Sequence, residues 1–399
     1  MRSIPLYSAF VLLAALRPSA AQSIPPEIAE IRLRVAGIRA QMAEVTASAE
    51  YVGSLFTRDS TARLMVSGMR NPGMMAEFAF HSGGPPEFRD ADDLSGRGVV
   101  IVPVAAWETG AFAVAALIDR WQAVGRPVVV IGSLAGKPEL PTLRHLVPNG
   151  APDGLRANAT INEVANLIAA WTFYVEFVAS ATRHAWQPGI LASIAVPNAD
   201  DSNARVRFRA PGRAGAVTPI PAGQLGNQYL DRIDSLLTLA ARPQHQALLQ
   251  RAADSLRAAR AAGHRLFVGA CGNYLNRSVV ADSIGSPFRP VLAQYEVVAP
   301  MLQRGARPGD ALLWFGYYGY DCPHLQAAGP LQDANYKVVA VSDNLPPQFP
   351  PNVLVAVPLG WRLPEHVADV PFNGEGAGSA SSVDALLHYL WLKRLVGTP

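Results

Sequence analysis

The segment HRLFVGACGNYLNRSVVADS, residues 264–283, decides the fold class that this sequence predicts. An apolar run ends in the small-residue turn GACGN at 269–273, and a stretch of helical character follows the turn. A buried strand, a tight glycine turn and a helix make up the repeating unit of parallel α/β sheets. Free amides at the start of such a helix attract oxyanions and sugar hydroxyls, so this turn is a predicted ligand site.

The same unit occurs twice along the chain. The first copy has predicted strands at 63–67, 99–103 and 127–131. The second copy has them at 266–268, 310–315, 336–341 and 353–357. Each copy closes with a helix, at 160–180 and at 381–396. Helices between runs rich in Val and Ile predict right-handed crossovers and a parallel sheet, and the repeated order predicts an internal duplication.

The chain of 399 residues is long enough for two domains with separate cores. A first domain is expected over 22–208 with a leading amphipathic helix at 27–56, and a second over 227–399 with leading helices between 227 and 262. The segment 209–226 is rich in Pro and Gly and is predicted to be a linker. A fused pair needs no further partner, although a homo-oligomer is also compatible with the sequence.

Residues 1–21 have the pattern of an export signal peptide. Arg2 supplies a positive start, 4–16 an apolar core, and Ser19-Ala20-Ala21 a cleavage site. An uncleaved membrane anchor is the alternative, but about a dozen apolar residues are too few to cross a bilayer core of about 30 Å. The mature protein is therefore expected in the periplasm or outside the cell, away from the membrane. No later segment is expected to be long and apolar enough to span a membrane; 165–180 comes closest, but it holds Glu176.

Composition and spacing argue against several partners and cofactors. The net charge is +3 and no basic run with interleaved aromatics occurs, so nucleic acid is not expected. The glycine turns at 68–73 and 269–272 lack the G-x-G-x-x-G spacing of dinucleotide sites, and no cofactor is predicted. Cys271 and Cys322 lie in predicted strand-end turns, where a disulfide and two reduced thiols are both open. His264 and His324 have no metal-ligand spacing with them, so no metal site is predicted.

Short motifs recur around the predicted strands. The segment PGDALL at 308–313 enters one strand, and YKVVAV at 336–341 forms the next. Ser193 and NAR at 203–205 form a polar tail after the first copy. In this order the motifs resemble the sugar isomerase (SIS) domain, and the tail is similar to that of small bacterial SIS proteins. The resemblance covers 62–205 and, less closely, 264–396, so the chain resembles a tandem pair.

The resemblance implies two parallel, three-layer α/β domains of the flavodoxin-like or Rossmann-like kind, related by a pseudo-two-fold axis. It also implies a phosphosugar or amino-sugar ligand at the strand ends. The family includes ketose–aldose isomerases, sugar-phosphate deaminases, acetylmuramate phosphate etherases and binding-only regulators. In the etherases a Glu in the helix after the first turn transfers a proton. Glu77 matches that position, and Asp282 is its counterpart in the second copy.

Two loops depart from the Ser-x-Ser-Gly-x-Thr pattern with which this family holds phosphate. They read AAWET at 105–109 and GYYGYD at 316–321. A phosphate dianion beside Glu108 or Asp321 would be repelled by about 1 kcal/mol or more at about 4 Å, even in high dielectric. Aromatic faces stack on sugar rings and carboxylates accept hydroxyl donors, so the expected ligand is a small carbohydrate derivative without phosphate.

The candidate site residues follow from these loops. Acid–base chemistry on a sugar needs a base and an acid, and the candidate catalytic residues are Glu77, Asp282, Glu375 and His324. Glu77 and Asp282 could instead orient neighbouring loops, and Glu375 lies in a predicted flexible polar loop at 373–379. The candidate ligand-binding residues are Gly68, Arg70, Asn71, Trp107, Glu108, Thr109, Gly269, Cys271, Gly272, Asn273, Tyr317, Tyr318, Asp321, Ser379 and Ser381. Two function classes stay open, a sugar isomerase or lyase and a sugar-binding module without catalysis.

Overall fold

The computed structural model describes most of the chain between residues 24 and 397. The described residues are 24–59, 62–66, 74, 77–78, 84–85, 88–90, 98–104, 111–133, 144–151, 159–193, 201, 203, 217–271, 275, 286–291, 297–317, 328–361, 366–370 and 373–397. The predicted signal peptide at 1–21 lies outside them, as do residues 209–216 of the predicted linker at 209–226.

Two parallel sheets of five strands form the framework. The first contains β1 (Arg63–Val66), β2 (Phe88–Asp90), β3 (Gly98–Val104), β4 (Val128–Gly132) and β5 (His145–Pro148), in the order β2-β1-β3-β4-β5. The second contains β6 (Leu266–Ala270), β7 (Arg289–Val291), β8 (Ala311–Gly316), β9 (Lys337–Ser342) and β10 (Val353–Pro358), in the order β10-β9-β8-β6-β7. Numbered within each half, both orders are the doubly wound one in which the first strand lies between the second and the third.

All seven predicted strands begin within one residue of their predicted starts, and the small difference at β8 has a physical reason. Asp310 was predicted to open that strand, but β8 begins at Ala311. The Asp310 carboxylate accepts hydrogen bonds from the backbone amides of Arg265, at 2.9 Å, and Arg307, at 2.8 Å. The side chain therefore fastens the entries of two adjacent strands. The prediction omitted β2, β5 and β7, because three or four residues carry too little hydrophobic pattern to predict a strand.

Nine helices occur in the described part of the chain. They are α1 (Pro26–Ala40), α2 (Met42–Arg58), α3 (Ala111–Ala123), α4 (Ala159–Arg183), α5 (Gln224–Ala240), α6 (Pro243–Ala261), α7 (Val298–Gln303), α8 (Ala328–Asp333) and α9 (Ser381–Val396). The single leading helix predicted at 27–56 is wrong, since Gln41 leaves helical geometry at φ −108° and ψ 27°. The break lets α1 pack across α5 while α2 packs against α4 and β5.

Each sheet separates two hydrophobic cores. In the first sheet Val99 and Ile101 face a large central core, whereas Val100 and Val102 face a smaller one that α3 covers. In the second sheet Leu313 joins the same central core, and Trp314 faces an outer core with residues of α7 and α8. This alternation along buried strands is expected when helices cover both faces of a parallel sheet.

The central core is common to both halves of the chain. Helices α1, α2, α4, α5, α6 and α9 all contribute buried side chains to it. Across the halves, Arg39 of α1 bonds Asp231 at 2.8 Å and Asp234 at 3.2 Å, both on α5. The two sheets therefore sandwich a shared helical layer.

Helix α4 is the apolar centre of that layer. Among the described residues, one helical segment is long and apolar enough to cross a membrane by length and composition, and it is Ile161–Arg183 of α4. Its most apolar window is entirely buried inside the protein. The expectation that no later segment meets those criteria is therefore corrected, and the observed role of α4 is to fill the shared core.

A short antiparallel pair precedes α9. It consists of β11 (His366–Val370) and β12 (Asn373–Ser379), which corrects the prediction of a flexible polar loop at 373–379. Gly378 has φ +80°, and a Cβ there would lie 2.9 Å from Val175 and 3.2 Å from Tyr229. The glycines that predicted a loop therefore serve a left-handed backbone and a close approach to α4 and α5.

Candidate functional site

The strand order locates the expected ligand crevice in each half. A doubly wound sheet binds ligands beyond the carboxyl ends of its strands, where the direction of the crossovers reverses. That point lies between β1 and β3 in one sheet and between β6 and β8 in the other. The segments that follow these strands carry most of the predicted site. Those that lie outside the described residues are Gly68, Arg70, Asn71, Trp107, Glu108, Thr109, Gly272, Asn273, Asp282, Tyr318, Asp321, Cys322 and His324.

Glu77 lies after β1 and is completely buried. Its Oε1 accepts a hydrogen bond from Trp171 Nε1 of α4 at 3.1 Å. Its Oε2 accepts one from Ser382 Oγ of α9 at 2.7 Å. One carboxyl group from the first half thus joins the closing helices of both halves.

Two predicted serines shortly precede Ser382 in the chain. Ser379 and Ser381 are fully buried, and their hydroxyl oxygens are 3.2 Å apart. Tyr229 of α5 donates its hydroxyl to the carbonyl of Ser379 at 2.8 Å. Burial raises the pKa of Tyr229 well above its ordinary value and the nearby Glu77 adds to the shift, so the phenol remains a donor. We call Glu77, Trp171, Tyr229, Ser379 and Ser382 the carboxyl–serine cluster.

The start of α9 explains how the cluster accommodates a buried carboxyl group. Ser382 is the second residue of α9, and the aligned amides at a helix start favour a negative or electron-rich group nearby. Both Glu77 oxygens already accept hydrogen bonds, so neither is directed at an external proton in this state. Glu77 was considered either as a catalytic residue or as one that orients neighbouring loops, and the geometry favours the second role. Trp171 and Ser382 were not predicted, because their proximity depends on how α4 and α9 pack.

A second buried polar group lies further along α9. Asp384 Oδ2 accepts hydrogen bonds from the amides of Gly360 at 2.6 Å and Trp361 at 3.2 Å. Asp384 Oδ1 is 3.2 Å from Nδ1 of His388, whose Nε2 is 2.6 Å from Nε2 of His245 on α6. The sequence signal was limited to the i, i+4 spacing of Asp384 and His388, since His245 comes from a distant helix.

The pKa shifts of this group have identifiable causes. Burial works to raise the pKa of Asp384, but His388 and the two amides outweigh it and hold that pKa below its ordinary value. Burial works to lower the pKa of His388, but Asp384 outweighs it and raises that pKa. Burial, followed by the charge of His388, lowers the pKa of His245 to about 3. The geometry thus favours a cationic His388 between an anionic Asp384 and a neutral His245.

The other described candidates have structural contacts. A Cβ at Gly269 would lie 3.4 Å from the Trp314 ring. Cys271 is disulfide-bonded, and its backbone amide donates to the carbonyl of Phe315 at 2.9 Å. Tyr317 is buried, with its ring centroid 5.9 Å from that of Trp361. The aromatic face expected to stack on a sugar is therefore packed against protein at Tyr317. Glu375 belongs to β12 rather than to a loop.

The described residues contain no group of three or more His, Cys, Asp or Glu side chains that could hold a metal ion.

The fold matches that of solved structures over nearly the whole chain. A candidate phosphosugar isomerase from Silicibacter pomeroyi matches with a TM-score of 0.51 and 12% identity, over 92% of this chain and 96% of that one. This chain has an SIS-type fold. A candidate sugar-binding protein from Salmonella typhimurium matches with a TM-score of 0.50 and 9% identity, over 93% of this chain and 99% of that one.

The predicted resemblance to SIS domains is thereby confirmed at the level of the fold. No family model matches the sequence, and no curated protein matches it. At such low identity the SIS-type fold carries no residue roles from those proteins to this one.

Proposed function

We propose that this is an exported SIS-type protein that binds a non-phosphorylated carbohydrate derivative at the carboxyl edges of its sheets. The observation that carries the proposal is the shared strand order of the two sheets. It directs the connections after β1, β3, β6 and β8 to the edge where α/β sheets bind ligands. Export rests on the leader pattern at 1–21, and the matching orders support the predicted duplication.

The chemistry of these connections supports an uncharged or cationic sugar. The segment after β3 contains Trp107 and Glu108, and the one after β8 contains Tyr318 and Asp321. Aromatic rings offer faces to sugar C–H groups, and carboxylates accept sugar hydroxyls or an amino group. A phosphate dianion would meet the same carboxylates unfavourably.

The carboxyl–serine cluster supports binding over catalysis. An isomerase or lyase needs a base that can reach a proton on the ligand. Glu77 matches the family position for that role, but both of its oxygens accept hydrogen bonds inside the protein. We therefore place the non-catalytic sugar-binding module first. A sugar isomerase or lyase that uses Asp282, His324 or Glu375 is the second candidate, favoured by the match of its fold to a candidate phosphosugar isomerase.

Calorimetric titration of the mature chain tests the proposal. Ligands should include glucosamine, N-acetylglucosamine, N-acetylmuramic acid and their phosphorylated counterparts. We expect binding of at least one free sugar, and weaker binding of its phosphate. Glu108→Gln should weaken that binding by about tenfold or more, because a charged acceptor is lost. Glu44→Gln is the control, since Glu44 is an exposed acid on α2.

Tighter binding of the phosphate than of the free sugar would overturn the ligand class. Analysis of the same mixtures by mass spectrometry and NMR separates the two function classes. Unchanged sugar supports the binding module, whereas an isomerised or cleaved product supports the enzyme.

A further inference from the structure

A buried chain of three side chains links α6, α9 and the corner after β10. Asp384 binds the Gly360 and Trp361 amides, His388 contacts Asp384, and His245 contacts His388. The two imidazole rings meet edge to face, at 82° with centroids 4.9 Å apart. The carboxyl–serine cluster does not use these groups.

We propose that Asp384, His388 and His245 form a pH-sensitive latch that holds the start of α6 and the corner at 359–361 against α9.

The contact between the histidines can hold only one proton. The Nε2 atoms are 2.6 Å apart, so one nitrogen must donate and the other must accept. His388 Nδ1 lies 2.7 Å from the carbonyl oxygen of Asp384 and therefore carries a proton. Protonating both Nε2 atoms would bring two N–H groups together between adjacent cations. Acid must therefore break this contact before His245 can become charged.

His245 is the point at which protons reach the latch. It retains 5% exposure, whereas Asp384 and His388 retain 1% each. It is the third residue of α6, where the amides of a helix start disfavour an additional positive charge. Its pKa of about 3 in the closed state agrees with this arrangement. Released into water, the same imidazole would have a pKa near 6.5.

Other charged side chains of α1, α4 and α6 bind groups outside the latch. Glu27 of α1 pairs with Arg394 at the far end of α9, at 2.6 Å. Glu176 of α4 accepts amides at the start of α5. Arg257 and Arg260 of α6 donate to carbonyls of residues 395–397, at the end of α9. Among the described residues, the charges of His388 and Asp384 shift the pKa of His245, and the charge of Asp384 shifts the pKa of His388.

Opening of the latch would change the packing of residues at the predicted ligand-binding edge of the second sheet. Asp384 anchors the amide of Trp361, and the Trp361 ring packs against Tyr317, the first residue after β8. Asp384 also lies two residues after Ser382, which holds Glu77. A displaced Asp384–His388 pair would therefore loosen both the Trp361–Tyr317 contact after β8 and the Ser382–Glu77 hydrogen bond.

Denaturant unfolding of the full mature chain at about pH 8 and about pH 5 tests the latch. His245 has a pKa of about 3 in the folded protein, and an ordinary histidine in the unfolded chain has one of about 6.5. This difference raises the unfolding constant about 30-fold when the pH falls from about 8 to about 5. His245→Gln should remove this factor, because glutamine bonds His388 with either polarity and does not titrate. The ratio of the wild-type to the variant unfolding constant should therefore increase about 30-fold on acidification.

His264→Gln is the matched control, since His264 is 31% exposed and 3.8 Å from its nearest carboxylate. It should leave the wild-type acid response in place. An equal acid response in the wild type and in His245→Gln would overturn the proposal.

Histidine NMR of the folded wild type gives an independent readout that needs no variant at position 245. His245 should stay neutral from about pH 8 to about pH 5, while His388, whose pKa is raised by Asp384, should titrate at a higher pH than an ordinary histidine. His388→Gln, which removes one resonance, assigns the pair. Titration of His245 near its ordinary value in the folded protein would exclude the latch.

Discussion

At the scale of single residues, several buried polar groups in this protein are paired with groups from distant parts of the sequence. Glu77 and Ser382 are 305 positions apart, yet their side chains form a 2.7 Å hydrogen bond. A buried donor or acceptor that loses its partner costs about 1–3 kcal/mol. The pairing therefore makes the carboxyl–serine cluster sensitive to the chemical identity of each member.

Glu77→Ala should destabilise the protein by about 2–5 kcal/mol, because Trp171 Nε1 and Ser382 Oγ both lose their acceptor. Glu77→Gln is the matched variant. Its amide oxygen can accept from Trp171 while its amide nitrogen donates to the Ser382 hydroxyl, which can reverse its role. Urea unfolding should therefore show a much smaller loss for glutamine than for alanine. Equal losses for the two variants would mean that the hydrogen bonds are not what stabilises this position.

At the scale of elements, α5 obtains its amino-terminal cap from another helix. Its N-cap residue Gly223 has φ +81° and no side chain to offer. Glu176 of α4 instead accepts the amides of Gly223 at 2.8 Å and Gly226 at 2.7 Å. Burial raises the pKa of Glu176, and the two amides act against that shift. The acid that interrupts the apolar pattern of α4 thus joins the closing helix of the first half to the leading helix of the second.

Removal of this cap should destabilise the whole protein. Glu176→Ala leaves both amides without their acceptor and opens a cavity in the shared helical layer, so we expect a loss of about 2–4 kcal/mol. The control is Glu44→Ala, because Glu44 is an exposed acid on α2 and should change stability by about 0.5 kcal/mol or less. Thermal and urea unfolding measure both. A Glu176→Ala variant as stable as its control would show that α5 is capped in another way.

At the scale of the whole molecule, the shared helical layer links the two predicted domains. Each half has its own sheet and its own outer core, but the central core draws on helices of both. Helix α4 contacts α5, α9 and β12 of the second half. A half without its partner would expose much of that apolar surface to water.

Residues 22–208 and 227–399 should therefore fail to fold cooperatively when each is produced alone. We expect aggregation or a broad unfolding profile for each piece, and a single cooperative transition for the intact chain. A chain cleaved within 211–216 is the matched control, because its halves can stay associated through the central core. Calorimetry and size-exclusion chromatography make the comparison. Two independently folded, monodisperse halves would show that the shared core is not required.

Much of the fold was predictable because strands depend on local composition. Runs such as GVVIVPV at Gly98–Val104 are almost wholly buried, and a parallel sheet covered on both faces requires such runs. Helix α9 occupies its predicted range, 381–396, because the pattern ends at Gly397. The errors lie where contact with another element decides the backbone. Gln41 breaks the leading helix, and the glycines of β12 fit against α4 and α5.

The candidate site was predictable only in part. Glu77, Ser379 and Ser381 were predicted from their positions after a strand or before a helix. In the structure Ser379 lies next to Ser381, and the neighbouring Ser382 donates to Glu77. Their partners Trp171, Tyr229 and Ser382 lay within apolar or ordinary helical sequence, where no local pattern distinguishes a cluster member. His245 was missed for the same reason.

By itself, the sequence determined two parallel sheets, their order along the chain and the ends at which loops gather, because hydrophobic periodicity and glycine turns act over a few residues. Only the tertiary structure decided that the sheets share one helical layer, that a carboxyl group of the first half closes on a serine of the second, and that His245 meets His388 across 143 positions. Such pairs form when helices pack, since burial in a common core leaves each polar group no partner except the one that packing supplies.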